Sequence, residues 1–436
     1  MPVRASRIKA VLAHGRQLRT EGVVALLNLA TVATSFLLQI IVLRFAGDVR
    51  DADAYFATSA IPQVALSIAV NAVTGALLPQ LARIGTDERP AAVRALVLLV
   101  IAAGLPIATV LFFLAPWWTL VIFPGFVGNA SQDAVTLAGL AALSTPFAIT
   151  TSVLSGYLYA ERRFAINEGI ALGSASGLAI AAALLIPVAG ITALGWLLLA
   201  RFVLQGLLQA LFLPRTPVRQ GWAALAPVWR RTRALLAGAI YFKNDILVDR
   251  YLLSLAAAGA LSKVVFAQSI FTAAAGVLGQ ALANTASPTL SQAHHVRDKA
   301  QFQAALLRNL VLLGLASVLL FLAAVALVPP IAALLTKQSV MHNGVNLRLV
   351  LLLFGGVPIG ACIGALLANA FYAMGDTRTP TMMTIGTFTI FLVAKVIVFS
   401  QVGIYAFCAL TSVYYLANCG IMAGLLRRKM RQEFAA

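Results

Sequence analysis

The stretch NLVLLGLASVLLFLAAVAL, Asn309 to Leu327, contains no charged side chain. Wound as a helix at ~1.5 Å per residue, it crosses most of the ~30 Å hydrocarbon layer of a bilayer. Runs of this kind recur along the chain. Hydrophobic residues make up 61% of it and charged residues 11%, against roughly 45–50% and about 25% in a soluble domain. No soluble core needs that much apolar surface, so the excess faces lipid. The composition predicts an all-α polytopic membrane protein.

Apolar runs between charged or Pro/Gly breaks give about twelve transmembrane helices. The first half holds Gly22–Ala46, Ala54–Leu81, Ala95–Leu114, Ala134–Leu158, Ala165–Pro187 and Ile191–Phe212. The second holds Ala234–Leu255, Val264–Ala286, Asn309–Leu327, Leu349–Tyr372, Met382–Phe399 and Gly403–Leu426. A basic connector, residues 214–233, separates an N-terminal lobe, 1–213, from a C-terminal lobe, 234–436. The basic start, Met1 to Thr20, precedes an apolar run too long for a signal-peptide core and lacking a small-residue cleavage site. It reads as a retained first span.

Lysine and arginine set the orientation. With the N-terminus inside, roughly two-thirds of them fall in cytoplasmic segments, including Arg83, Arg89 and Arg94, the pair Arg162–Arg163, and Arg427 to Arg431. The opposite loops hold few: Arg44, Arg50, Lys263, Lys337 and Arg348. Both termini are thus expected in the cytoplasm. The net charge of +18 serves orientation rather than nucleic-acid binding.

The halves correspond. One nearly constant shift lays LLPQLA (Leu77–Ala82) on ASPTLS (Ala286–Ser291). It also lays Tyr159–Ala160 on Tyr372–Ala373, and GITA (Gly190–Ala193) on GIYA (Gly403–Ala406). Six spans per half make these parallel repeats about an axis normal to the membrane. Transporters built this way hold substrate in a central cavity and alternate access by rocking the lobes.

Enzyme chemistry finds no foothold. There is no GxxxxGK phosphate loop and no HExxH motif. The histidines His14, His294, His295 and His342 are expected in loops. Cys362, Cys408 and Cys419 lie in apolar segments without metal or redox spacing, so they read as small packing residues. No metal or organic cofactor is implied. The energy for transport would come from an ion gradient, with H⁺ or Na⁺ as coupling ion, or from the membrane potential or the substrate's own gradient.

Charges inside spans are costly and are therefore functional candidates. They concentrate in AIYFKNDILVDRYLL, Ala239 to Leu253, which carries Lys243, Asp245, Asp249 and Arg250. On a helix the two acids fall about 40° apart, and Lys243 and Arg250 about 20° apart on a different side. Neither acid has a basic partner at i+3 or i+4. Water, a bound cation, a proton, or charges on other spans such as Arg201 and Lys395 must compensate them. A salt-bridge network that only fixes helix packing is the competing reading, with snorkelling of Arg250 to the interface a second.

Several motifs resemble the MurJ/MviN-type lipid II flippase family. DAYFATSAIPQ (Asp53–Gln63) followed by LLPQLA is similar to its DAF-x-A-x-x-x-P pattern. FPGF (Phe123–Phe126) resembles its outer loop, and VDRYLLSLAAAGALS (Val248–Ser262) its seventh span. FYAMGDTRTP (Phe371–Pro380) and GIYAFCALTS (Gly403–Ser412) match best. The resemblance implies the multidrug/oligosaccharidyl-lipid/polysaccharide (MOP) exporter superfamily. It implies two six-helix lobes around a central cavity, and export of an undecaprenyl-diphosphate-linked sugar across the bacterial inner membrane.

Asp53 and Arg44 match charged positions of that family. The arginines that its members carry in the first span and after the proline of the second have no counterpart: Val24 to Leu43 is uncharged, and QVALSIAV follows Pro62. The arginine of their eighth span falls at about Ser269. Lys243, Arg250, Arg201 and Lys395 are the cations left to hold a substrate diphosphate, and Asp245 or Asp249 the acids to couple an ion. The expected partners are a lipid-linked saccharide and membrane lipids, with no nucleic acid; a monomer suffices, although the sequence leaves oligomeric state open. A cation-coupled drug or metabolite antiporter of the same superfamily and a non-transporting cell-envelope scaffold are the alternatives.

Overall fold

The computed structural model describes residues 2–335 and 345–434; Lys337 and His342 lie outside the described residues. Its described secondary structure is helical throughout. Among the described residues, ten helices are long and apolar enough to cross a membrane. The two further expected spans, the seventh and eighth, fall within helices of 37 and 36 residues that carry the polar stretches.

The chain forms two compact units, Met1–Leu255 and Ala256–Ala436. In the first, α1 (Pro2–Phe45) is followed by a span made of α2 (Val49–Thr58), α3 (Ala60–Ala72), a π turn (Val73–Leu77) and α4 (Leu78–Leu81). Asp48 and Asp51 cap α2 reciprocally, satisfying amide donors that a helix start leaves free. The π turn has a cause in Pro79. Proline offers no N–H and its ring excludes the carbonyl four residues back, so the preceding turn widens. Gly156 faces this turn, and a Cβ there would collide with the Val73 side chain at 2.5 Å.

Next come α5 (Arg89–Phe113), the short α6 (Ala115–Ile122), α7 (Asn129–Ala160), α8 (Phe164–Ala189), α9 (Ala193–Ala210) and α10 (Val218–Ser254). The centre is α7, which packs on α2, α3, α5 and α9 and is the most buried of the spans. Helix α10 lies against α3 and α5 and is pinned at both ends. Gly221 abuts the Ala91 carbonyl and Gly125 abuts the Ser254 carbonyl, each leaving no room for a Cβ. Gly125 belongs to the FPGF motif, whose Phe123 and Phe126 are buried edge to face.

The second unit comprises α11 (Ala260–His295), α12 (Lys299–Leu335), α13 (Leu347–Leu353), α14 (Gly356–Ala373), α15 (Arg378–Val402) and α16 (Ile404–Glu433). Its core joins Leu290, Phe302, Phe371, Met422 and their neighbours. The histidines differ from expectation: His294 and His295 form the last turn of α11, and His14 lies on α1, because helices extend past the apolar runs. Large apolar side chains face outward on both units, such as Leu184 on the first and Leu319 and Ile390 on the second. Such surface is what acyl chains cover.

Candidate functional site

On α10, Lys243 and Asp245 are half-buried, whereas Asp249 and Arg250 are buried. The structure supplies what helical spacing did not reveal. Arg250 interacts electrostatically with Asp249 beside it and with Asp245 of the preceding turn. The acids and the arginine thus lie in one another's field, and with Lys243 the group is formally neutral. A neutral group is far cheaper to keep in a low-dielectric span than four independent charges.

Arg201 lies on α9 in the same unit, beside Phe202 and within the field of the buried Tyr55 of α2. Its Nε makes no hydrogen bond among the described residues. Asp53, two positions before Tyr55, is buried, while Arg44 at the end of α1 is exposed. Lys395 belongs to the second unit, on α15, and has no exposed surface. Its Nζ stands 4.3 Å from the Phe391 ring centre and 5.4 Å from that of Phe407, an aromatic enclosure for an ammonium. Tyr414 stacks on Phe391 from beyond. Lys263 is equally buried and donates to the Val345 carbonyl at 2.9 Å. The structure therefore brings together Asp245, Asp249 and Arg250, and gives Lys395 a separate aromatic setting.

A further polar centre was missed from sequence. Glu168, near the start of α8, is buried and accepts hydrogen bonds from Tyr159 Oη at 2.6 Å and Asn167 Nδ2 at 3.1 Å. Gln209 of α9 donates to Asn167 Oδ1 and to Ser155 Oγ of α7. One turn on, Ser174 donates to Gln205. The network ties α7, α8 and α9 together. The sequence signal was a single acid just inside the expected span Ala165–Pro187, close enough to Arg162–Arg163 to pass as a charge at the span's end.

A cleft of about 610 Å³ opens beside Glu168 at the arginine-rich end of the first unit. Tyr159, Arg162 and Phe164 contribute to it from the α7–α8 corner, Val24 and Asn28 from α1, and Arg89 from α5. Arg89 is already engaged, with Nε donating to the Leu81 carbonyl and Nη1 to Glu161 at 3.2 Å.

Long apolar helices, parallel sequence repeats and charges gathered inside spans define a helical membrane transporter rather than an enzyme. The fold is that of the MOP exporters. A solved lipid II flippase MurJ in an inward closed conformation has a TM-score of 0.75 at 14% identity, over 93% of this chain and 87% of that one. An inward-facing multidrug resistance MATE family transporter has the same TM-score at 13% identity, over 94% and 98%. A MOP superfamily transporter from Pyrococcus furiosus reaches 0.61 at 13% identity, over 94% and 96%. The profile of the lipid II flippase MurJ matches residues 43–436, and the chain belongs to that family. It is a multi-pass membrane protein and a flippase for a lipid-linked precursor.

Proposed function

We propose that the chain moves a polyprenyl-diphosphate-linked saccharide, lipid II or a polysaccharide repeat unit, to the outer leaflet of the bacterial cytoplasmic membrane by alternating access. Both termini would face the cytoplasm. The family match over residues 43–436 carries this reading. The charges of α10 give it a mechanism. Lys243 and Arg250, with Arg201, would hold the diphosphate, since guanidinium and ammonium bind phosphate oxygens strongly where water is scarce. Lys395, in the second unit, is the fourth cation of this assignment.

The electrostatic link of Arg250 to both acids supports a coupling step. When a diphosphate takes the arginine, Asp249 and Asp245 lose their counter-charge, and a proton or sodium ion must replace it. Substrate and cation would then bind together and leave together. Cation uptake at these acids is also what the antiporter reading asks for, with cation and drug binding in turn instead of together, so the decisive experiment concerns substrate. Depleting the protein in its native cell and identifying the lipid-linked intermediate that builds up in the inner leaflet distinguishes the two. Accumulation of a diphosphate-linked saccharide is expected. Drug sensitivity with no such accumulation would transfer the chain to the antiporter class.

A further inference from the structure

Glu168 sits in a span, 6% exposed, and both of its hydrogen-bond donors are neutral. It forms no ion pair among the described residues. A carboxylate withdrawn from water without a counter-charge is destabilising by several kcal/mol. Its environment therefore asks for a cation, and the adjoining cleft gives that cation room. At about 610 Å³ the cleft is far larger than a proton or a metal ion requires.

The same cleft presents positive charge. Arg89 is occupied by Glu161, but Arg162 has no ion-pair partner among the described residues. Arg162 adopts φ +57°, a left-handed conformation that is strained for a side chain with a Cβ. This corner closes α7 and aligns the arginine with the cleft that Glu168 also lines. The same cleft has apolar walls in Val24, Leu78, Ala82 and Phe164. An acid, a base and an apolar wall at the arginine-rich end of a span make a set complementary to a zwitterionic lipid headgroup.

We propose that this cleft holds one membrane phospholipid whose headgroup carries a primary ammonium, with the ammonium at Glu168 and the phosphate at Arg162. A primary ammonium is favoured over a quaternary one because it brings N–H donors to a carboxylate that neutral groups only partly satisfy. The stacked Tyr159 and Phe164 rings, 5.6 Å apart, form the wall beside it. This lipid is separate from the transported one: its headgroup is neutral overall, and its site involves none of the α10 charges. By touching α1, α4, α5, α7 and α8 it would brace that end of the unit.

The test uses the purified full-length protein in detergent, with dioleoyl-phosphatidylethanolamine, -phosphatidylcholine and -phosphatidylglycerol as probes. Native mass spectrometry reads retention and thermal unfolding reads stabilisation. Wild type should retain the ethanolamine lipid about tenfold better than either of the others. Glu168→Gln should abolish the preference over phosphatidylglycerol. Arg162→Gly, which relieves the backbone while removing the guanidinium, should weaken retention of all three lipids. Equal retention of the three by wild type would overturn the proposal, as would undiminished retention in Arg162→Gly, which decides the matter even where Glu168→Gln does not fold. Stabilisation by sodium or by acid alone, without lipid preference, would also overturn it and assign Glu168 to a small cation.

Discussion

On α10 the compensating charges belong to one helix, Asp245, Asp249 and Arg250 lying within two turns. Around Glu168 the partners come from three helices, Tyr159 and Ser155 on α7, Asn167 on α8 and Gln209 on α9. In the first arrangement an incoming anion competes directly with neighbouring carboxylates of the same helix for Arg250. The second cannot lose a member without loosening a helix contact. Charge that is local to one helix suits a ligand that comes and goes, and hydrogen bonds spread over several helices suit architecture. The bound lipid inferred beside Glu168 would extend that architectural role.

The comparison breaks most visibly at the cations of α10. Each charge-assisted contact to a diphosphate contributes about 1.5–3 kcal/mol, so Lys243→Ala with Arg250→Ala should slow flipping about a hundredfold or more. Proteoliposomes carrying a fluorescent polyprenyl-diphosphate lipid give the rate, and a monodisperse elution profile confirms that the variant is folded. Full activity would leave α10 with a packing role only.

A smaller effect is expected at the acids. Asp245→Asn with Asp249→Asn keeps the side-chain shapes but removes the groups that would take up a cation when the diphosphate engages Arg250. Flipping should persist at about a tenth of the wild-type rate and should no longer respond to a proton or sodium gradient. A gradient response equal to that of wild type would separate coupling from these residues.

The other side of the comparison yields a stability effect. Glu168→Ala leaves the Tyr159 hydroxyl and the Asn167 amide without their acceptor, which should cost about 2 kcal/mol. Glu168→Gln retains an acceptor oxygen and should cost less than half of that. Thermal unfolding in a fixed detergent compares them. Equal losses for the two would mean that charge, rather than hydrogen bonding, holds Glu168 in place.

Much of this was legible in the chain because lipid imposes a one-dimensional rule. A run such as Asn309–Leu327 announces a span without reference to any other segment, and each expected span coincides with helix. The four charges of α10 were legible for the same reason, being conspicuous against their own neighbours. Their mutual compensation was less so, because the Asp245–Arg250 interaction lies outside the i+3 and i+4 pairs that helical geometry favours. The Glu168 network was hidden altogether. Its members are ordinary polar residues at sequence separations from one to more than forty, and only the packing of α7, α8 and α9 brings them together. The aromatic enclosure of Lys395 had the same obstacle, since Phe407 lies on a different helix. Pro146 and Pro358 show a subtler limit. They correspond under the shift that relates the halves, yet Pro146 lies within the continuous α7, whereas Pro358 follows a break and opens α14.

The smallest effect comes from a charge outside the spans, which supplies a reference for both clusters. Asp376, in the FYAMGDTRTP motif between α14 and α15, accepts from the Thr379 amide at 3.0 Å and the Thr379 hydroxyl at 2.8 Å, with Lys429 Nζ at 3.7 Å. The Thr379 amide is the chief cause holding its carboxyl below the usual range, helped by the Thr379 hydroxyl and Lys429. A depressed carboxyl stabilises the fold above the unfolded value of about 4, and that contribution disappears as pH falls through the folded value. Asp376→Asn removes the charge but keeps an acceptor for the Thr379 amide, so it should cost about 0.5 kcal/mol near pH 7, less than a helix-start cap lost outright. The gap between variant and wild type should narrow below about pH 4. Thermal unfolding at pH 7 and pH 3 measures both. A gap that stays constant would show that the motif acts through its shape alone. A gap that closes would show that the charge of this half-buried carboxylate, bonded within its own turn, supplies the stabilisation, in contrast to Glu168, whose partners must be supplied by packing.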